Sequence, residues 1–105
     1  MKFDNIRFSD GDWSCSEFAD VVFINCDLSN VDFSRSVFHR THFVNCRLLG
    51  TDFTESTIRY TRFVGCRLNY SVFGFSHLNE VSFEESILRE TAFYRSGAEG
   101  QQVSE

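Results

Sequence analysis

Proline is absent from the 105 residues, so nothing in the chain breaks a regular backbone ladder. Long apolar runs are absent too. No stretch of about 18 apolar residues exists, which excludes a hydrophobic membrane-spanning helix. The start, Met1-Lys2-Phe3-Asp4, carries no apolar leader segment, and a cytoplasmic location is the expectation. Basic excess is missing. The net charge is −5, which repels phosphates and argues against direct nucleic-acid binding. The four cysteines, Cys15, Cys26, Cys46 and Cys66, form no CxxC or CxxH pair, so zinc-ligand spacing is lacking. No glycine-rich phosphate loop, nucleophile–base pair or paired carboxylate motif occurs. Neither a metal, a cofactor nor an enzymatic activity is expected.

What is present is a period of five. Phe3, Phe8, Trp13, Phe18, Phe23, Leu28, Phe33, Phe38, Phe43, Leu48, Phe53, Ile58, Phe63, Leu68, Phe73, Leu78, Phe83, Leu88 and Phe93 stand five apart without a miss. Twelve of the thirteen phenylalanines lie on this ruler, with Phe75 as the exception. The aromatic content is therefore structural, not a base-stacking surface. Two residues before each of these centres lies a second restricted position. From Ile6 to Thr91 it holds nothing charged and nothing larger than isoleucine. One large and one small position point inward. The remaining three of each five accept Asp, Arg, Asn, Glu, His or Tyr and point outward.

Five matches neither the 3.6 period of a helix nor the 2.0 period of a long strand. It suits short extended segments joined by turns. Four such segments would close a square of twenty residues, and the sequence repeats at twenty. Cys26-Asp27-Leu28, Cys46-Arg47-Leu48 and Cys66-Arg67-Leu68 recur at that spacing, as do Phe23, Phe43, Phe63 and Phe83. Leu28, Leu48, Leu68 and Leu88 form another such column. These phenylalanines, leucines and cysteines are the expected core ladder. The fold class is all-β, a parallel β-helix of a little under five coils, about 20–25 Å long at the spacing of neighbouring strands. The repeat domain spans residues 1–96. Residues 97–105 are small and polar and read as a frayed tail.

Segments such as Asn30-Val31-Asp32-Phe33-Ser34 and Gly50-Thr51-Asp52-Phe53-Thr54 resemble the pentapeptide-repeat family, over nearly the whole chain. That resemblance implies a right-handed quadrilateral β-helix. Phe38 to Phe43 and Phe73 to Phe75 also look like the Qnr-type quinolone-resistance branch. This likeness implies a rod that imitates DNA, binds DNA gyrase or topoisomerase IV and protects it from quinolones. Members of that branch are longer and act through inserted loops. The ruler here has no interruption, so no functional loop carries over to any residue.

Surface candidates follow from the columns. Asp12, Asp32 and Asp52 share one face with Glu55 beside them, a candidate acidic partner-binding stripe. Aspartate before the centre also suits the motif for local reasons, because it bonds nearby backbone. Ile24, Val44 and Val64 form an outward apolar column and a candidate contact patch. Leu49, Tyr70 and Phe75 are further outward apolar residues. Stacking would bring Cys26, Cys46 and Cys66 to about 4.8 Å between Cα atoms, within disulfide range. The same slot elsewhere holds Ser, Thr and Val, so they read as small buried thiols. His39 and His42 read as solvated surface histidines. No capping helix is visible at either end of the coil; open ends imply association of copies end to end, a capping tail or truncation from a longer parent chain, with association or truncation expected. The function expected from the residues is a binding scaffold with a protein partner. Topoisomerase protection is the alternative.

Overall fold

The computed structural model describes residues 1–8, 10–99 and 102–104. Every strand pairing in it is parallel, and every register is offset by twenty. β1 (Lys2–Asp4), β3 (Val22–Ile24) and β5 (His42–Val44) stack in that order, and β2 (Glu17–Ala19) stacks on β4 (Val37–His39). β6 (Thr57–Val64) receives both β4 and β5 and passes the pairing to β7 (His77–Glu84). Isolated bridges such as Arg47↔Arg67 and Asp32↔Asp52 continue the same register on the other two sides. The chain is thus a four-sided parallel β-helix. Face 1 is centred on Phe3, Phe23, Phe43, Phe63 and Phe83. Face 2 is centred on Phe8 and the leucines from Leu28 to Leu88. Face 3 is centred on Trp13, Phe33, Phe53, Phe73 and Phe93, and face 4 on Phe18, Phe38, Ile58 and Leu78. From Phe3 to Phe83 it makes four turns.

Each short strand turns its middle residue inward and its flanks outward, as the period of two requires. The two phenylalanine columns fill the bore. Within a column the rings lie parallel: Phe23–Phe43 at 5.0 Å, Phe43–Phe63 at 4.7 Å and Phe63–Phe83 at 4.9 Å. Columns on opposite faces meet edge to face, as Phe43–Phe53 at 6.4 Å and Phe53–Phe63 at 6.1 Å. Both geometries are favourable aromatic contacts. The expected core ladder is buried except at its end. Leu88 is only partly covered, as are Phe3, Phe8, Phe18 and Phe93. These residues lie in the terminal coils, where a neighbour is missing on one side.

The small inward slot is more than a size filter. Thirteen of its eighteen residues from Ile6 to Thr91 carry a hydroxyl or thiol. Eight of these groups reach back to the carbonyl of a centre residue in the preceding coil, and others, such as Ser71 and Ser76, bond a carbonyl of their own coil. Thr51 Oγ1 donates to Leu28 O at 2.7 Å, Ser56 Oγ to Phe33 O at 2.8 Å and Cys66 Sγ to Phe43 O at 3.1 Å. Buried carbonyls are thereby satisfied between coils. Val21, Val31 and Val81 show that the slot tolerates an apolar residue of similar volume.

The third outward position is not free either. From Asn5 to Arg95 every fifth residue has a positive φ, between +50° and +69°. These are the corners of the square. On two faces the corner closes with a bond from the slot amide to the centre carbonyl three residues back, as in Thr51 N to Leu48 O and Ser56 N to Phe53 O. Positive φ at the third residue of such a turn suits Gly and Asn. Gly50, Gly65, Asn25 and Asn45 comply, whereas Tyr60, Tyr70 and Phe75 place bulky rings there.

The expected frayed tail is corrected over its described part. β8 (Gly97–Glu99) pairs with His77–Asn79 and β9 (Gln102–Ser104) with Ser82–Glu84. Pairing uses backbone groups that the last coil leaves open, so small polar residues suffice. Gly100, Gln101 and Glu105 of that segment lie outside the described residues. Among the described residues no helix covers either end.

Candidate interaction surface

With the bore filled, chemistry-bearing side chains stand on the outer faces. Asp12, Asp32 and Asp52 are brought together in register on face 3. Each carboxylate is tied to its own turn. Asp12 Oδ1 accepts from Ser14 N at 3.1 Å, Asp32 Oδ1 from Ser34 N at 2.9 Å and Asp52 Oδ1 from Thr54 N at 2.8 Å. The Ser14 backbone amide, then its hydroxyl, holds the Asp12 carboxyl below its ordinary range. The stripe thus has a local structural role as well as a charge. Glu55 is exposed at the neighbouring corner. The column then changes character, from Asp52 to Val72 and Ala92.

Ile24, Val44 and Val64 also stack in register, half-buried, and carboxylates bound the column at Asp4 and Glu84. Glu84 is engaged by Arg62 at 2.7 and 2.9 Å. Arg62 pulls its carboxyl down from the ordinary value. Arg40 holds Asp20 in the same two-pronged way at 2.6 and 2.9 Å. Both pairs are exposed, so they orient side chains more than they stabilise. His39 lies beside Tyr60, with ring centres 5.6 Å apart. Among the described residues no three His, Cys, Asp or Glu side chains gather as a metal site. No helix among them is long and apolar enough to cross a membrane.

Cys26, Cys46 and Cys66 are stacked and buried as free thiols, and Cys15 is exposed. Each buried Sγ donates to a carbonyl of the coil before, as Cys46 does to Phe23 O at 3.3 Å. Burial raises Cys26 above its ordinary value, and contact with Cys66 followed by burial raises Cys46 well above the usual thiol range. A thiol-specific disulfide reagent at neutral pH is therefore expected to titrate one cysteine, Cys15, within minutes in the native protein. It should titrate all four in denaturant. Two or more fast native thiols would contradict the burial of the ladder.

The N-terminal end is apolar. Phe3, Phe8, Trp13 and Phe18 surround a recess of about 20 Å³ floored by Phe23, Leu28 and Phe33. That is room for one water-sized body. A second exposed group gathers on the last two coils of face 3. Phe75 and Tyr94 meet edge to face at 5.6 Å, and the Arg95 guanidinium lies 5.9 Å from the Phe75 ring centre. The sequence shows Phe75 only as an isolated outward residue. The signal that joins it to Tyr94 is the spacing of twenty between Gly74 and Tyr94, which stacks the ring over a residue without a side chain.

Comparison with known proteins agrees with this architecture. No curated protein sequence matches the chain. Rfr23, a pentapeptide-repeat protein from the cyanobacterium Cyanothece 51142, superposes with a TM-score of 0.78 at 11% identity, covering 97% of this chain and 86% of its own. HetL, a pentapeptide-repeat protein involved in heterocyst differentiation regulation in Nostoc sp. strain PCC 7120, gives a TM-score of 0.85 at 14% identity. That match covers 91% of this chain but 46% of HetL, so the chain spans less than half its length. A trypsin-treated form of QnrB1, a plasmid-mediated fluoroquinolone resistance protein, matches at 16% identity with a TM-score of 0.50, over 97% of this chain and 72% of its own. At these identities the likeness is one of fold. The pentapeptide repeat region pattern matches residues 16–93. With nineteen five-residue units and a four-sided coil in constant register, the chain belongs to the pentapeptide-repeat family.

Proposed function

We propose that this chain is a non-catalytic binding module that engages a protein partner through its flat outer faces. One observation carries the reading. Each five-residue unit directs its large and small positions into a bore packed with phenylalanine, and among the described residues no charged side chain is buried. Among the described residues the bore holds no ligand-sized cavity, and the hollow of about 540 Å³ beside Asn69, Ile87, Leu88 and Arg89 lies outside it, at the open end of face 2. A reducing compartment such as the cytoplasm suits the protein, because three free thiols stand at strand spacing. The test is cross-linking in cells followed by reconstitution with the purified partner. A stoichiometric complex that Asp12→Lys, Asp32→Lys and Asp52→Lys together weaken, with the fold intact, supports the reading. Turnover of a small substrate, or no cross-linked partner, would overturn it.

A second reading, imitation of DNA toward DNA gyrase or topoisomerase IV, is favoured by the acidic column on face 3. The dimensions bear against it. The body measures 31 × 28 × 25 Å, shorter than one turn of B-DNA at about 34 Å. Faces 1 to 4 also mix signs, with Arg40, Arg47, Arg59, Arg62 and Arg67 in the middle coils. Supercoiling by gyrase, with and without quinolone, decides it. Inhibition or relief of drug-stabilised cleavage at micromolar protein would establish this mode, and no effect at that concentration would remove it.

A further inference from the structure

We propose that the C-terminal half of face 3 is the anchor point for a protein helix, one carrying an apolar side chain and, about two and three turns along, lysine or arginine. The inference rests on the binding-module reading and names the partner chemistry of one face. The anchor is built, not incidental. Tyr94 lies across Gly74, where a Cβ would run into its ring. Phase with the repeat explains this: the same column reads Ser14, Ser34 and Thr54 before it reaches Gly74 and Tyr94. Phe75 braces Tyr94 edge to face, and Arg95 sits over Phe75. Phe75 is 47% exposed and Tyr94 53%. Two rigid aromatics beside an arginine have the composition of an interface hot spot. Val72 and Ala92 make the floor next to them smooth and uncharged.

The occupant follows from what borders the anchor. Asp32, Asp52 and Glu55 continue the same face toward the N-terminus, with Arg35 the one cation among them. That segment has net charge −2 from three acids and one base, so a partner must bring cations there. Below the last coil the backbone of this face is closed off. Val72 N bonds Thr51 O, Phe73 N bonds Ala92 O, and Phe75 N bonds Tyr94 O at 3.0, 2.7 and 3.0 Å. A strand cannot add to groups already paired, so the partner uses side chains. At about 4.8 Å per coil, Asp52 lies about 10 Å and Asp32 about 14 Å along the axis from Tyr94. At 1.5 Å per residue this places the cations near i+7 and i+10 from the apolar residue, all on one helix face. A second copy of this chain fits poorly. Its net charge of −5 has the same sign as the Asp32, Asp52 and Glu55 segment it would have to meet.

The test uses the full chain and a fluorescein-labelled 18-residue helical peptide with phenylalanine at i and lysine at i+7 and i+10. A same-composition isomer carries the lysines on the opposite helix face. Anisotropy should show the first peptide binding at least tenfold more tightly than the isomer. Tyr94→Ala and Phe75→Ala should each weaken it about tenfold. Gly74→Ala should weaken it severalfold although both aromatics remain, because the ring loses its seat. Asp52→Asn should weaken it about threefold at low salt and flatten the salt dependence. Circular dichroism and melting check that each variant is folded. Equal affinity for the two peptides, no binding, or binding unchanged in Tyr94→Ala would overturn the proposal. A reconstituted protein complex indifferent to Tyr94→Ala would also overturn it and leave the binding-module reading standing. A failure to find any partner removes both.

Discussion

Phe43→Asp is expected to abolish the folded state. Phe43 has no exposure. It is stacked between Phe23 at 5.0 Å and Phe63 at 4.7 Å and meets Phe53 edge-on. Removing a buried phenylalanine side chain costs about 3–5 kcal/mol. A carboxylate left in that bore adds several kcal/mol, because its neighbours are rings and no cation reaches it. The sum rivals the about 5–15 kcal/mol that holds an ordinary domain together. Local failure cannot be contained. Each coil rests on its neighbours alone, and a break at the middle coil leaves stubs of about two coils, too small to bury a core. Circular dichroism in a urea titration should show no cooperative transition, and sedimentation should show an expanded or aggregated chain. Phe43→Leu is the control. Face 2 already stacks leucines at this depth, so that variant should fold with a loss of about 1–2 kcal/mol. A cooperatively folded Phe43→Asp would refute the inward assignment.

Ser56→Leu should destabilise by about 3–5 kcal/mol, while Ser56→Ala should cost about 1 kcal/mol. Ser56 Oγ donates to Phe33 O at 2.8 Å and accepts from Ser36 N at 3.3 Å, with no exposure. Alanine loses the bond from the coil-to-coil link and leaves room. Leucine loses the same bond and forces three extra carbons into a slot whose buried residues, from Val21 to Ser86, are nowhere larger than valine. The difference between the two variants therefore isolates crowding from hydrogen bonding. Urea midpoints at constant slope measure it. Equal losses for Leu and Ala would mean that the slot is not sterically limited.

Much of the fold was legible because the repeat states it nineteen times. The centres, the slot and the square of twenty all reappear in the registers, from Phe3↔Phe23 to Phe63↔Phe83. The donor role of the slot was also open to view in its serines, threonines and cysteines, but size alone accounts for the same residues. The corner positions were harder. Their backbone requires positive φ, yet Arg35, Arg40, Tyr60, Glu80 and Glu90 occupy them alongside Gly and Asn. Side-chain identity is a weak witness where tertiary pairing above and below imposes the angle. The segment after Ser96 misled for the same reason. Its pairing depends on the open backbone of β7, not on its own polar composition.

The surface divides differently. That Asp12, Asp32 and Asp52 share a face followed from spacing alone. That each is bonded to its own turn, and that the column gives way to an aromatic cluster, did not. Phe75, Tyr94 and Arg95 meet because one coil lies on the next, and contact between coils is a property of the stack. The sequence by itself determined the period, the inward and outward residues and the number of sides, since burial selects residue type at each repeat. Only the tertiary structure decided the corner conformations, the bonds linking slot to carbonyl and the juxtapositions on face 3. Those depend on distances between residues twenty apart in the chain and about 5 Å apart in space.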